Sequence, residues 1–435
     1  MGNGTKLWNK AKNVIPGGNM LLSKRAEMFL PGYWPAYFSK AKGCYVWGLD
    51  GEKYLDMSIM GIGTNTLGYC HSEVDAKVME TIKSGNMSTL NCAEEVELAE
   101  KLIELHPWSD MARFARSGGE ANAIAVRIAR AASGKDKVAI CGYHGWHDWY
   151  LAANVNSTDV LKGHLLPGLE PAGVPSSLEN TTLAFRYNDF DSLSQCVANN
   201  DVGVIKMEVV RNQGPSDNFL EKVRRLCDEK NIVLVFDECT SGFRENFGGI
   251  HKTYKVDPDI CVFGKALGNG YAITSVIGKK AVMECAQKTF ISSTFWTERI
   301  GPTAALATLE VMEREETWLT TSEVGKKLQM GWNELANNHN LDIEINGIPS
   351  ISSFNFKSEN RLIYKTFITQ EMLKNGILAA NLVYTCIAHK DNELEKYFSE
   401  LDKIFGKIKQ CEDDIISSME LLDGEVCHDG FKRLN

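Results

Sequence analysis

Between about residue 70 and residue 300, short unbroken apolar runs alternate with stretches in which apolar positions recur every three or four residues. The runs Val138–Cys141, Val202–Ile205, Ile232–Phe236 and Ile260–Phe263 show no polar alternation, as expected of strands whose two faces are both covered in a parallel sheet. The periodic stretches near Glu73–Lys83, Ala93–Leu105, Glu120–Ala132, Phe190–Ala198 and Asn218–Glu229 predict helices. Strands and helices in alternation define an α/β domain with a large, mostly parallel sheet.

The flanks follow a different pattern. Lys6–Val14 predicts a short helix stopped by Pro16-Gly17-Gly18, and Tyr45–Met57 a hairpin around Gly48-Leu-Asp-Gly51. Beyond residue 300, helical patterns within Gly301–Asn338 precede strand patterns at Ile343–Ile345 and Ser352–Phe356, then a charged helical stretch, Glu393–Leu422. The expected organisation is an N-terminal segment, 1–60, that joins a smaller α+β domain at 306–435, with a large α/β domain at 61–305 between them. The polar tail Asp423–Asn435 is expected to fray.

Charge and composition narrow the classes of function. The 435 residues carry 47 Lys and Arg against 56 Asp and Glu, a net charge of −9, which leaves no overall basic footprint for nucleic acid or an anionic membrane. No apolar run reaches the roughly 18 residues that span a bilayer. Met1–Lys12 has no signal-peptide core, and Lys6 stands where a myristoylation motif needs Ser or Thr. A cytoplasmic protein is the expectation. The 12 cysteines form no Cys-x-x-Cys pair and are expected as buried free thiols. His144 and His147 lack the partners of a zinc pattern, so no metal is expected.

Ligands of open α/β sheets bind beyond the carboxyl ends of the strands, so the residues after each apolar run are the candidates. Ser117-Gly-Gly119 opens a predicted helix; its amides and the helix dipole suit an anion such as phosphate, although a simple helix cap looks the same. Neither nucleotide fingerprint occurs, since Thr66 replaces the third glycine after Gly61-Ile-Gly63. Lys265 follows Ile260–Phe263, where desolvation favours a neutral amine able to form a Schiff base; a solvated loop lysine is the alternative. Asp237 follows Ile232–Phe236 and needs a cation, either a protonated pyridine or a structural partner. With Tyr143 as a flat ring, these residues make up the set that pyridoxal 5'-phosphate requires.

The same segments resemble the class III pyridoxal-phosphate aminotransferases, in particular the branch of glutamate-1-semialdehyde 2,1-aminomutase. The resemblance runs from Ile15-Pro-Gly-Gly18 to about residue 405. It is carried by Asp237-Glu-Cys-Thr-Ser-Gly-Phe-Arg244 and by Pro258–Lys265 with Gly268-Asn-Gly270, and further by Ala41-Lys-Gly43, Asp50-Gly51 and Tyr143-His-Gly145. It implies the type I fold of pyridoxal-phosphate transferases, with a smaller domain drawn from both termini. It also implies Lys265 as Schiff-base lysine, Asp237 as partner of the ring nitrogen, Tyr143 stacked on the ring with His144 beside it, and Ser117, Gly118 and Gly119 as phosphate loop. Glu208 would lie near the cofactor. Thr294 would reach the phosphate of a neighbouring subunit, making the protein a homodimer with shared active sites.

The chain departs from the pattern in places. Gly119 replaces a Ser or Thr, Val209 a Pro, and Phe295-Trp-Thr-Glu298 the usual Ser-Gly-Asn-Pro. Arg25 could match the substrate-carboxylate arginine with a one-residue shift, while the Trp expected near Gly61-Ile-Gly63 is absent. Arg25, Trp296 and Glu298 are therefore candidate substrate residues. The aromatic residues Tyr33, Trp34, Tyr37 and Trp296 either face a large, ring-shaped substrate or fill the core. The implied activity is ping-pong transfer of an amino group between an amino donor and a carbonyl acceptor. The alternatives are intramolecular transfer, as in the aminomutase, and a non-catalytic homologue serving as a scaffold.

Overall fold

The computed structural model describes residues 2–157, 160–164, 169–210 and 212–430. They fall into two units, Ser72–Trp318 and a second made of Met1–His71 with Leu319–Asn435. Both divisions lie later in the chain than 60/61 and 305/306. Tyr69 bridges to Gly43 and donates its hydroxyl to Asp56, which keeps it with the N-terminal strands. The Ile300–Glu315 helix packs on the Ser72–Ser84 helix of the larger unit.

The larger unit is built on a seven-stranded sheet in the order Met111–Ala115, Thr274–Gly278, Ile260–Phe263, Val233–Glu238, Val202–Glu208, Lys137–Cys141, Thr182–Ala184. Only Thr274–Gly278 runs against its two neighbours; the other pairs are parallel. The four apolar runs of the sequence are all strands of this sheet, and Val233–Glu238 and Ile260–Phe263 are buried throughout. The Gly118–Ser133 helix covers one face. Ser117 and Glu120 form a capping box at its start, and Gly134, at φ 68°, ends it. Its buried side is rich in alanine (Ala121, Ala125, Ala129), which lets the helix lie close against the valines of the sheet.

The smaller unit holds two sheets. Tyr45–Gly48 and Lys53–Met57 form the expected hairpin; Phe38–Lys42 extends it on one side and Ile377–Ala379 on the other, the latter in parallel. Ile343–Asn346, Ile351–Phe356 and Leu382–Tyr384 make the second sheet. Trp332, Phe354, Tyr397 and Phe405 lie in the core of this unit. Two expectations are corrected. The final helix is Asp391–Glu412 and stops before Leu422, since Asp414 turns into the left-handed region at φ 56°. The tail is docked through residue 430 rather than frayed: Cys427 is buried, its amide bonds Thr366 Oγ1, and the His428 amide bonds the Glu27 carbonyl. Residues 431–435 lie outside the described residues.

Candidate active site

Apart from Thr274–Gly278, the strands of the large sheet point their carboxyl ends to one edge. That edge therefore collects Ser117 after Ala115, Tyr143 after Cys141, Glu208 and Asp237 at their strand ends, and Lys265 after Phe263. Glu208 and Asp237 are register partners on adjacent parallel strands.

Asp237 is buried at 3% exposure. Its Oδ2 accepts from His144 Nδ1 at 2.8 Å, its Oδ1 accepts from the Cys239 amide at 3.1 Å, and Lys206 Nζ lies 3.9 Å from Oδ2. Burial alone would raise its pKa, but the Lys206 ammonium and the His144 bond outweigh it and hold the carboxyl well below the usual carboxylate range. Burial pushes the His144 imidazole the other way, below its ordinary value. A neutral imidazole donating from Nδ1 fits both. His144 is packed between Trp149 and Tyr150, and the Tyr150 hydroxyl bonds the Gly142 carbonyl at 2.9 Å.

Tyr143 is half exposed, with its amide bonded to Glu208 Oε2 at 3.2 Å. Gly142 has φ 119°, and a Cβ there would stand 2.5 Å from Glu208 Oε2, so this turn needs a glycine. The phosphate-loop candidates follow the same logic. Glu120 Oε2 accepts from the amides of Arg116 and Ser117 at 3.1 and 2.9 Å, which leaves the Gly118 and Gly119 amides as the first two of the helix, without intrahelical acceptors. A Cβ on Gly145, at φ 106°, would stand 2.8 Å from the Gly119 Cα, and one on Gly119 would meet His147 and Trp146 at 3.2 and 3.3 Å. The glycine that replaces Ser or Thr at 119 thus has a packing reason.

Lys265 takes a left-handed conformation, φ 45°, rare for a residue with a side chain. Its Nζ donates to Thr240 Oγ1 at 2.6 Å, and burial holds its ammonium below the usual lysine pKa. Cys239 Sγ joins the two halves of the site: Cβ positions built on Gly118 and Gly264 stand 3.7 and 3.4 Å from it.

Of the remaining candidates, Glu298 and Trp296 bond residues next to the Ser117–Gly119 loop. Glu298 is committed to structure. It pairs with Arg116 at 2.8 Å and accepts the Ile300 and Gly301 amides at 2.8 Å, capping a helix. Trp296 donates to Glu120 Oε1 at 3.2 Å and lines a cavity of about 280 Å³ with Arg127, His147, Phe290 and Ile291. Thr294 is exposed, and its carbonyl accepts the Thr297 hydroxyl. Arg25 belongs to the smaller unit, as do Tyr33, Trp34 and Tyr37. There Trp34 stacks on Phe29 at 4.3 Å, and Trp34 and Tyr37 pack on a small core of Trp8, Ala11 and Ala26. Two residues at the site are not among the sequence candidates: Thr240, inside the Asp237–Arg244 segment, and Lys206, the charge between the apolar run Val202–Ile205 and Met207.

Comparison with known proteins adds four findings. The family model for class III aminotransferases matches residues 31–405. The chain is 32% identical over 419 residues to a 3-aminobutyryl-CoA aminotransferase of Cloacimonas acidaminovorans, covering 93% of this chain and 97% of that one. It is 34% identical over 354 residues to a glutamate-1-semialdehyde 2,1-aminomutase of Methanothrix thermoacetophila, covering 79% and 80%. Among solved structures, the FumI protein of Sphingopyxis sp. MTA144 superposes with a TM-score of 0.85 at 24% identity, over 97% of this chain and all of that one, and shows the same fold.

Proposed function

The chain belongs to the class III aminotransferase family, and we propose that it transfers an amino group from an amino donor to a carbonyl acceptor with pyridoxal phosphate held at the edge of its large sheet. The residues present fit that cofactor. The Gly118 and Gly119 amides offer unpaired donors to a phosphate, Tyr143 offers a half-exposed ring, Asp237 a buried ionised carboxylate, and Lys265 an amine of lowered basicity. The observation that carries this reading is the meeting of Lys265, Asp237 and the Ser117–Gly119 loop around Cys239.

Bound there, the cofactor supplies an aldehyde for covalent attachment and an electron-accepting ring. Asp237, held ionised, would keep the ring nitrogen protonated. Lys265 would hold the cofactor through its Nζ and, freed by the amino donor, would take the proton from the substrate carbon and deliver it to the cofactor's aldehyde carbon. Thr240 orients the lysine amine between these tasks. Borohydride reduction of the protein with pyridoxal phosphate, followed by peptide mapping, should place the label on Lys265; a label on another lysine, or none, would refute the assignment.

The 3-aminobutyryl-CoA aminotransferase, matched along nearly its full length, supports transfer between molecules. The aminomutase relative supports a second reading, in which the amine returns to its own substrate. With a ¹⁵N-labelled donor, label in a second molecule marks the first reading and retention in one molecule the second. The proposed assembly is a homodimer in which Thr294 reaches the neighbouring site. Phe290 and Phe295, 83% and 68% exposed, flank Thr294 and support an apolar interface there. A cytoplasmic setting is part of the proposal; among the described residues no helix is long and apolar enough to cross a membrane.

A further inference from the structure

Lys206 lies against Asp237 at the sheet edge, and the proposed chemistry does not use it. It lies in the Val202–Glu208 strand, beside Ile140 on one neighbouring strand and Val235 on the other. Ile140, Val204 and Val235 belong to the apolar layer under the Gly118–Ser133 helix. Side chains two apart share a face of a strand, so Lys206 rises through that layer on the side that carries Glu208 and its register partner Asp237. It is 0% exposed, and its Nζ has no hydrogen-bond partner among the described residues. An ammonium in such a place is costly unless a carboxylate compensates it, and Asp237 Oδ2, at 3.9 Å, is the carboxylate it meets. The same oxygen accepts from His144, whose Nε2 is likewise buried without a partner.

We propose that Lys206 is a positioning residue that sets the charge of the Asp237–His144 pair: its buried ammonium neutralises the carboxylate from below and keeps the imidazole neutral. The titratable groups that act on it are Asp237, His144, Glu208, Cys239 and Cys261. Of these, Asp237 is the carboxylate in contact and His144 the group whose proton count follows from it. Without the ammonium, the uncompensated carboxylate would draw a second proton onto His144, and a positive charge would then sit where the imidazole now serves as a neutral donor. The pairing stands on the chain's own geometry. Its consequence for a ring nitrogen on Asp237 rests on the proposed function: the lysine takes part of the carboxylate's charge and so moderates its hold on that nitrogen.

The test uses the full-length, cofactor-free chain, so that a failure of cofactor labelling at Lys265 leaves it intact. The nine histidines are followed by NMR against pH, with the His144 resonance assigned by its loss in His144→Gln. Lys206→Met and Lys206→Gln should each raise the His144 titration midpoint by one pH unit or more, whereas a merely structural lysine would leave it in place. An unchanged midpoint in either soluble variant overturns the proposal. A urea-unfolding cycle gives an independent reading. Lys206→Met should lower the midpoint when Asp237 is present and raise it in an Asp237→Asn background, where the ammonium has lost its counter-charge. Equal effects in the two backgrounds would show that the groups are not coupled and overturn it as well.

Discussion

In the proposed site, Lys265 and Asp237 take different charge states from their surroundings. Burial lowers the basicity of the lysine, whereas His144, Lys206 and the Cys239 amide keep the aspartate ionised against the same burial. Lys265→Ala should abolish turnover and the borohydride-fixed label while leaving the circular-dichroism spectrum unchanged, because the side chain it removes makes one hydrogen bond to Thr240. Asp237→Asn should weaken cofactor binding, measured by fluorescence titration, and reduce kcat by 100-fold or more, about 3 kcal/mol of barrier; wild-type kinetics would contradict its role. Two other buried groups govern acid stability. Burial lowers the pKa of His106 and of His389 to about 4. The unfolded chain holds more protons than the folded one between that value and the ordinary histidine pKa, near 6.5. Stability should therefore be intact above about pH 6.5 and fall as pH drops toward 4, by up to about 3 kcal/mol per histidine. Urea midpoints at pH 7 and pH 5 check this, and His106→Gln should flatten the slope.

At the scale of elements, the active-site loops hold their shape through close backbone contact. Gly145 approaches Gly119 so tightly that Gly145→Ala would place a methyl group 2.8 Å from the Gly119 Cα, at a φ that alanine disfavours. That variant should lose about 1–3 kcal/mol of stability, measured by thermal melting, together with most of its affinity for pyridoxal phosphate. Glu120→Ala should cost about 1 kcal/mol or more. It removes half of the capping box and also the acceptor of the Arg116 and Ser117 amides and the Trp296 ring. Much of this layer was legible beforehand. Unbroken apolar runs gave four strands of the large sheet, and Ser117-Gly-Gly119 marked a helix start. Met111–Ala115 and Thr274–Gly278 were not, since MARFA and TSVIG mix polar and apolar positions and become strands by pairing with each other and, for TSVIG, with Ile260–Phe263.

For the whole molecule, the proposed dimer carries a test of its own. Sedimentation should give the mass of two chains, and Phe295→Glu should shift the equilibrium toward one. In Thr294→Ala the subunits should stay paired and bind pyridoxal phosphate more weakly. If instead monomers of Phe295→Glu keep full cofactor affinity, the site is complete within one chain and the shared-site reading fails.

The sequence by itself determined the α/β alternation and the strand ends where chemistry could occur, and through two motifs it singled out Lys265 and Asp237 as candidates. These are local matters: hydrophobic period, turn residues, and a polar side chain following an apolar run. Tertiary structure decided the rest. It paired Glu298 with Arg116, gave Gly119 its reason in the backbone of Gly145, docked the tail through Cys427, and brought Lys206 under Asp237. Each of these depends on which strand or loop lies beside which, and in a parallel sheet the crossovers place distant segments side by side, where a one-dimensional pattern holds no record of the pairing.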